Sequence, residues 1–566
     1  MATGKKGPAE GKVRVRILPK DPLVARRNEL WPVEIDLPCA TPGSGPTGPH
    51  AVVIDRDPDT GTLYPPARLL KNRCFQGLAR LSNAKILDDF HFHQVNVWAI
   101  VERTLAMIED EYLLARAVPW ASQRGRLVLI PHAGRQQNAF YDRASGALHF
   151  CYFDAPDGRR IHTCLSHDIV AHELGHAVLD GLKPHYNEVT SAQTAGFHEY
   201  FGDAVAMMSS LATRETARVV TRGGPAQLDP YNVVSAIASE FGAAIRNLPD
   251  KKAYLRGAWN KRTMKQLHGT FEEHDWSEVL TGVYYDLLSH LYPVMRRQVE
   301  SENGAANSQG KREYYAMRAL SRAATFTAGV MFRGLDYCPP VDLRFDEYAR
   351  AVLRADQVAY PFDDFGIRKA LVRLFRERGL SPGAEDRKFA RSVRLKLRGI
   401  EIVEIAATPA DAYRFLDAHR ALFGIPYEAN FSVASVYSTN KRAKSGYRPP
   451  REHIIEYVWH DEVALAGARF GGLSGTTLPL LCGGTLVFDS NGNFLHLAAV
   501  AHTPRRENEL LDYVAHLVQT RRLGIAGDPD ESTPCVSIRA TVENGRARLA
   551  RIAAMRHARD PAPRKR

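Results

Sequence analysis

The strongest constraint in the 566-residue chain is an apolar helical run that carries three ionisable side chains. His172-Glu173-Leu174-Gly175-His176 is preceded by Ile169-Val170-Ala171 and followed by Ala177-Val178-Leu179. The ends of this helix are legible: Ser166 is a candidate N-cap, Asp168 an acid in the first turn, Gly181 a candidate C′ residue, and Pro184 a block to continuation. Residues four apart on a helix sit about 40° apart around its axis and on the order of 6 Å apart along it, so both imidazoles can reach one ion. A two-histidine site still lacks an oxygen ligand and an acid to orient a ring. The segment Gly196–Met207 also reads as a helix, with Glu199 and Asp203 four apart on one face. Small Gly202 and Ala206 beside them allow a neighbouring helix to approach closely.

His-Glu-x-x-His is the pattern of zinc hydrolases, in which the glutamate is the general base. A lone copy can arise by chance in a chain this long, and the helix caps and the downstream Glu/Asp pair are what lift it above that level. Two upstream segments add to it, Asn138-Ala139-Phe140-Tyr141 and Ser166-His167-Asp168-Ile169-Val170. Taken together, residues 90 to 290 or so resemble the thermolysin-like gluzincin metallopeptidases.

That resemblance implies one Zn2+ held by His172, His176 and Glu199, with Glu173 as base and Asp203 bonded to the free ring nitrogen of His172. It implies that Asn138 and Ala139 lie on an edge strand that holds a peptide backbone by β-addition; a simple hairpin edge is the competing reading. His274, followed by Ser277, matches the histidine that stabilises the reaction intermediate, with His268 as the competing choice. The family's aspartate partner for that histidine is not at the matching place, so Glu272 or Glu273 is the substitute, and Glu278 stands where a glycine usually follows the serine. Tyr186 is the best match for the oxyanion tyrosine, although its spacing to Glu199 is longer than usual. Arg256 matches an arginine that binds a substrate carbonyl, or is a surface charge. Calcium is not expected: Asp168 fits one of the family's calcium acids, but Ser209-Ser210 stands where a further glutamate would be.

The expected fold class is α+β: a two-lobed, thermolysin-like unit followed by a separate α+β domain. The expected divisions are a basic, Pro/Gly-rich segment (1–50), a β-rich lobe (51–160), a helical zinc-binding lobe (161–380), a linker (381–398), the C-terminal α+β domain (399–552) and a basic tail (553–566). Strands are expected at Val13–Leu18, Ala51–Ile54, Arg126–Pro131, Ala147–Phe153, Ile400–Ala406, Ile454–Trp459 and Thr485–Phe488, with turns at Ser490–Asn493 and Asn544-Gly545. A helix is expected from Val97, which makes His91 and His93 ordinary loop or strand histidines.

Composition narrows the class further. The net charge of +12 gathers partly at the two ends, which read as solvated tails; no nucleic-acid motif accompanies them, so nucleic acid is not an expected partner. Seven cysteines without a CxxC pair fit a reducing compartment, and Cys164 reads as a small packed side chain. No apolar run approaches the eighteen or so residues of a membrane span, and the first twenty residues contain no signal-peptide core, so the expectation is a cytoplasmic protein, or one exported by a non-Sec route, with no membrane partner. The expected function is zinc-dependent hydrolysis of peptide bonds in a peptide or protein substrate. The alternative is a catalytically silent gluzincin-fold scaffold with structural zinc, against which the presence of Glu173 argues.

Overall fold

A computed structural model describes residues 10–122, 125–246, 254–383, 397, 399–443, 447–526 and 537–551. The chain is mixed α+β. It opens with an antiparallel pair, β1 (Lys12–Ile17) and β2 (Val33–Pro38), joined through helix α1 (Pro22–Asn28). Val13, Val15 and Ile17 alternate into the core, as a half-buried strand requires. From Lys12 onward the basic N-terminal segment is therefore not a solvated tail, while Lys5 and Lys6 lie outside the described residues. Arg14 pairs with Asp36, the Arg16 guanidinium donates to the Leu78 and Leu81 carbonyls, and the Leu18 amide donates to Asn96.

The next layer is a four-stranded sheet in the order β3 (Ala51–Val53), β4 (Leu127–Ile130), β6 (Ala147–Phe150), β5 (Ala139–Asp142). β3, β4 and β6 are parallel and β5 runs antiparallel at the edge. Parallel neighbours need a long crossover. Between β3 and β4 it contains helix α2 (Phe90–Ile108), buried along most of its length. This helix starts seven residues before Val97, because Asp89 accepts a hydrogen bond from the Phe92 amide and caps it there. His91 and His93 are thus first-turn helical residues rather than loop or strand ones. A short pair, β7 (Tyr152–Asp154) and β8 (Arg160–His162), leads into the helical part.

Helices α3 (His167–Leu182) and α4 (Ala192–Leu211) form its centre, followed by α5 (Arg214–Val220). The bridge β9 (Ala236–Ile237) with β10 (Arg256–Gly257) encloses α6 (Ser239–Arg246). Behind α4 lie α7 (Glu273–Asn303), α8 (Gln309–Arg333), α9 (Phe345–Ala359) and α10 (Ile367–Glu377). One continuous apolar core runs through all of this, from Val13 to Leu380.

The C-terminal part is built on a seven-stranded sheet: β11 (Ser432–Thr439), β12 (Glu452–Ala464), β13 (Thr477–Asp489), β14 (Phe494–Val500), β15 (Leu523–Ile525), β16 (Ile538–Glu543) and β17 (Arg546–Arg551). Asn544 and Gly545 both have positive φ in the β16–β17 turn, as a two-residue hairpin demands. Ile402–Ile405 is one helical turn, not the expected strand; the apolar face of Ile402 suits either period over so short a run. This part has apolar cores of its own and is joined to the rest by buried ion pairs and hydrogen bonds. Asp336 accepts from Arg116, Tyr437 and Lys441, Lys183 pairs with Glu456, and Arg506 pairs with Asp342, all at buried carboxylates. Most of the expected linker and the basic tail lie outside the described residues. Among those described, no helix is long and apolar enough to cross a membrane.

Candidate metal centre and cleft

Local sequence sets the two central helices. The Ser166 hydroxyl accepts from the Ile169 amide at the start of α3, and Ser191 does the same for Thr194 at the start of α4. The helices meet at Gly175 and Gly202. A Cβ on Gly175 would lie 2.8 Å from the Gly202 Cα, and one on Gly202 would lie 2.7 Å from the His172 ring. Glycine at 202 is therefore what leaves room for that imidazole between the helices.

The close approach brings four side chains together. Nε2 of His172 lies 3.5 Å from Glu199 Oε2, and Nε2 of His176 lies 3.4 Å from Glu199 Oε1. His274, in the first turn of α7, brings its own Nε2 to 3.3 Å from Glu199 Oε2. Glu173 is buried beside them, its carboxylate within 4.8 Å of a nitrogen on each of His172 and His176. On the far side of His172, Nδ1 lies 3.1 Å from Asp203 Oδ1. Arg256 joins the same carboxylate with Nη2 at 2.7 Å, so imidazole and guanidinium share one acid.

Burial alone would raise the Glu199 carboxyl, but the facing imidazoles outweigh it and hold it well below its ordinary range. Burial and Arg256 push His172 down, while Asp203 and Glu199 more than compensate and lift it to about 9. Burial likewise opposes ionisation of Asp203, and Arg256 and His172 overcome it. The centre is thus built to keep the Glu199 carboxylate ionised among the imidazoles that face it. Two Nε2 atoms and one carboxylate, buried and oriented from behind by Asp203, make a donor set that fits a zinc ion.

A narrow cleft opens beside this centre. His172, Glu173, Arg256 and Asp168 line it together with apolar Ala139, Ile169, Ile237, Ala238, Phe241 and Leu255. Asp168 is occupied by the buried ammonium of Lys20 and by the Ala238 amide, so a side chain from the N-terminal segment meets the carboxylate that matched a calcium acid. Edge strand β5 borders the cleft at Ala139, and its Tyr141 hydroxyl donates to Asp180 of α3, tying strand to helix. Asn138 is buried, and its Oδ1 makes no hydrogen bond among the described residues.

Two further expectations change. The Tyr186 hydroxyl is buried and donates to the Pro339 carbonyl at 2.6 Å, so it is committed to the fold and has no proton to offer an oxyanion. Its longer spacing from Glu199 was the sequence signal. Arg256 is no surface charge: it is 7 % exposed and paired with Asp203, and its Nη1 lies 3.9 Å from Glu199 Oε2. The open choices close as well. His274 is the histidine at the centre and His268 is exposed, while Glu272 accepts from His274 Nδ1 at 2.6 Å. Glu273 instead pairs with Arg522 of the C-terminal part. Sequence reasoning passed over Ile237 and Phe241, whose place in the cleft comes only from packing. No protein-family model matches the chain, and no curated protein matches its sequence.

Proposed function

We propose that the protein is a zinc-dependent peptide hydrolase of the thermolysin-like gluzincin kind. The observation that carries this reading is the Glu199 carboxylate facing His172 and His176 at 3.5 and 3.4 Å, with Glu173 beside them at the mouth of an apolar cleft. His172, His176 and Glu199 would hold the ion. Zinc in such a site supplies Lewis acidity and makes a water acidic near neutral pH.

The chain's own residues account for the remaining steps. Glu173 is the base: it takes a proton from the attacking water and returns it to the leaving amine. Asp203 accepts from His172 Nδ1, which fixes the tautomer and leaves Nε2 as the donor lone pair. His274, oriented by Glu272, presents its Nε2–H where negative charge grows on the substrate carbonyl oxygen, a contribution of roughly 2.7–4 kcal/mol for such a donor. Strand β5 offers its free edge, with the Asn138 amide beside it, to an extended peptide backbone. The apolar walls of the cleft favour an apolar side chain next to the cleaved bond, with the Arg256 guanidinium among the lining groups to meet a carbonyl.

The test is digestion of a peptide library by the purified full chain, with and without chelator. Cleavage that stops with chelator, returns with zinc and is absent in Glu173→Gln is the expected result. Undiminished cleavage by Glu173→Gln would remove the assignment.

A further inference from the structure

Away from the cleft, four residues from three separate stretches of sequence converge on one buried point. They are His93 in the first turn of α2, His132 just after β4, His162 at the end of β8, and Cys164 two residues before the cap of α3. One ligand atom from each lies within 4.8 Å of all the others. His93, His132 and Cys164 are 3 %, 2 % and 0 % exposed, and His162 is half-buried.

The protons in this cluster can be counted. His93 Nε2 lies 2.8 Å from the Leu87 carbonyl, which can only accept, so this nitrogen carries the hydrogen and Nδ1 carries a lone pair. His132 Nδ1 lies 2.9 Å from the Asp55 carboxylate, which Gln94 also holds, so in the neutral ring Nε2 carries the lone pair. These two lone-pair nitrogens stand 2.9 Å apart. The third ring's Nδ1, on His162, is buried and makes no hydrogen bond among the described residues. A proton on His132 could satisfy the His93 contact but leaves His162 unserved.

We infer that His93 Nδ1, His132 Nε2, His162 Nδ1 and Cys164 Sγ form a second metal site, for a borderline-soft divalent ion, Zn2+ first. Three imidazoles and one sulfur are a zinc donor set, not a calcium or magnesium one. Metal–ligand lengths of 2.0–2.3 Å put tetrahedral ligands roughly 3.3–3.8 Å apart, so the cluster needs adjustments of about 1 Å to close on an ion. The outer contacts are already made: Leu87 and Asp55 fix the tautomers of two rings, as carbonyls and carboxylates do behind metal-bound histidines. On binding, the Sγ–H proton leaves to solvent as the sulfur–metal bond forms. The site is closed by protein ligands on all four sides, so its role is structural. It would tie α2, β4 and β8 to the turn that positions the cap of α3.

Cobalt(II) titration of the metal-free full chain tests this, because among the described residues only this cluster combines a thiol with imidazoles; the centre of α3 and α4 has no sulfur ligand. A thiolate-to-cobalt charge-transfer band is expected in the wild type. It should vanish in Cys164→Ser and be displaced by zinc. His162→Ala, at the half-buried edge where folding is least at risk, should lower the zinc content by one equivalent while leaving the circular dichroism unchanged. Asp55→Asn should weaken zinc at this site about 10–100-fold. A folded wild type without the band, or a band that survives in Cys164→Ser, overturns the assignment whatever the outcome at Glu173.

Discussion

Asp203 and Arg256 form a buried ion pair at 2.7 Å directly behind His172, the imidazole that faces Glu199. The carboxylate thus answers both to the guanidinium and to the ring. Asp203→Ala should weaken zinc retention about 10–100-fold. It should also destabilise the fold by about 3–5 kcal/mol, because the Arg256 charge is left buried without its partner. Adding Arg256→Met should recover much of the stability but none of the zinc affinity. Chelator competition and urea denaturation read the two effects separately.

Glu272 and His274 behave as a unit. Glu272→Gln should lower kcat with little change in metal content, since the Nδ1 bond at 2.6 Å orients the ring and favours its protonated form. His274→Ala should lower kcat further, and His268→Ala should leave it unchanged. Steady-state kinetics with metal analysis checks all three, and a full-speed His274→Ala enzyme would remove that histidine from the reaction.

Tyr186→Phe separates fold from chemistry. Loss of the hydroxyl leaves the Pro339 carbonyl without its donor, at a cost of about 1–3 kcal/mol. Thermal denaturation should show that loss while kcat stays at the wild-type value. A large fall in kcat with stability intact would return Tyr186 to the reaction.

His50 gives a pH signature. Hydrogen bonds to Glu102 and Glu109 outweigh its partial burial and lift it from 6.5 to about 10. A group raised on folding contributes fully below its unfolded value and loses that contribution as pH rises through its folded one. The stability difference between wild type and His50→Gln should therefore be largest below pH 6.5 and shrink toward pH 10. Denaturant midpoints across that range measure it, and a difference that grows with pH contradicts the assignment.

The two central helices were legible because their information is local. Caps, an apolar period and pairs four residues apart set both helices and the faces that carry His172, His176, Glu199 and Asp203. Gly202 was legible too, as a small residue, though not as the one that makes room for the His172 ring. The short run at Ile402 was misread because four residues do not distinguish a period of two from one of 3.6.

By itself, the sequence determined which residues share a helix face and that α3 begins at the Ser166 cap, because those follow from backbone geometry and nearest-neighbour hydrogen bonds; Gly181, expected just past the end of α3, lies inside it, and α4 runs further at both ends than Gly196–Met207. Tertiary structure alone decided that Glu272 rather than Glu273 serves His274, that Tyr186 is spent on Pro339, and that Lys20 meets Asp168. It also decided that His93, His132, His162 and Cys164 share one point. Contacts between distant segments depend on how whole layers pack, and no spacing along the chain encodes that.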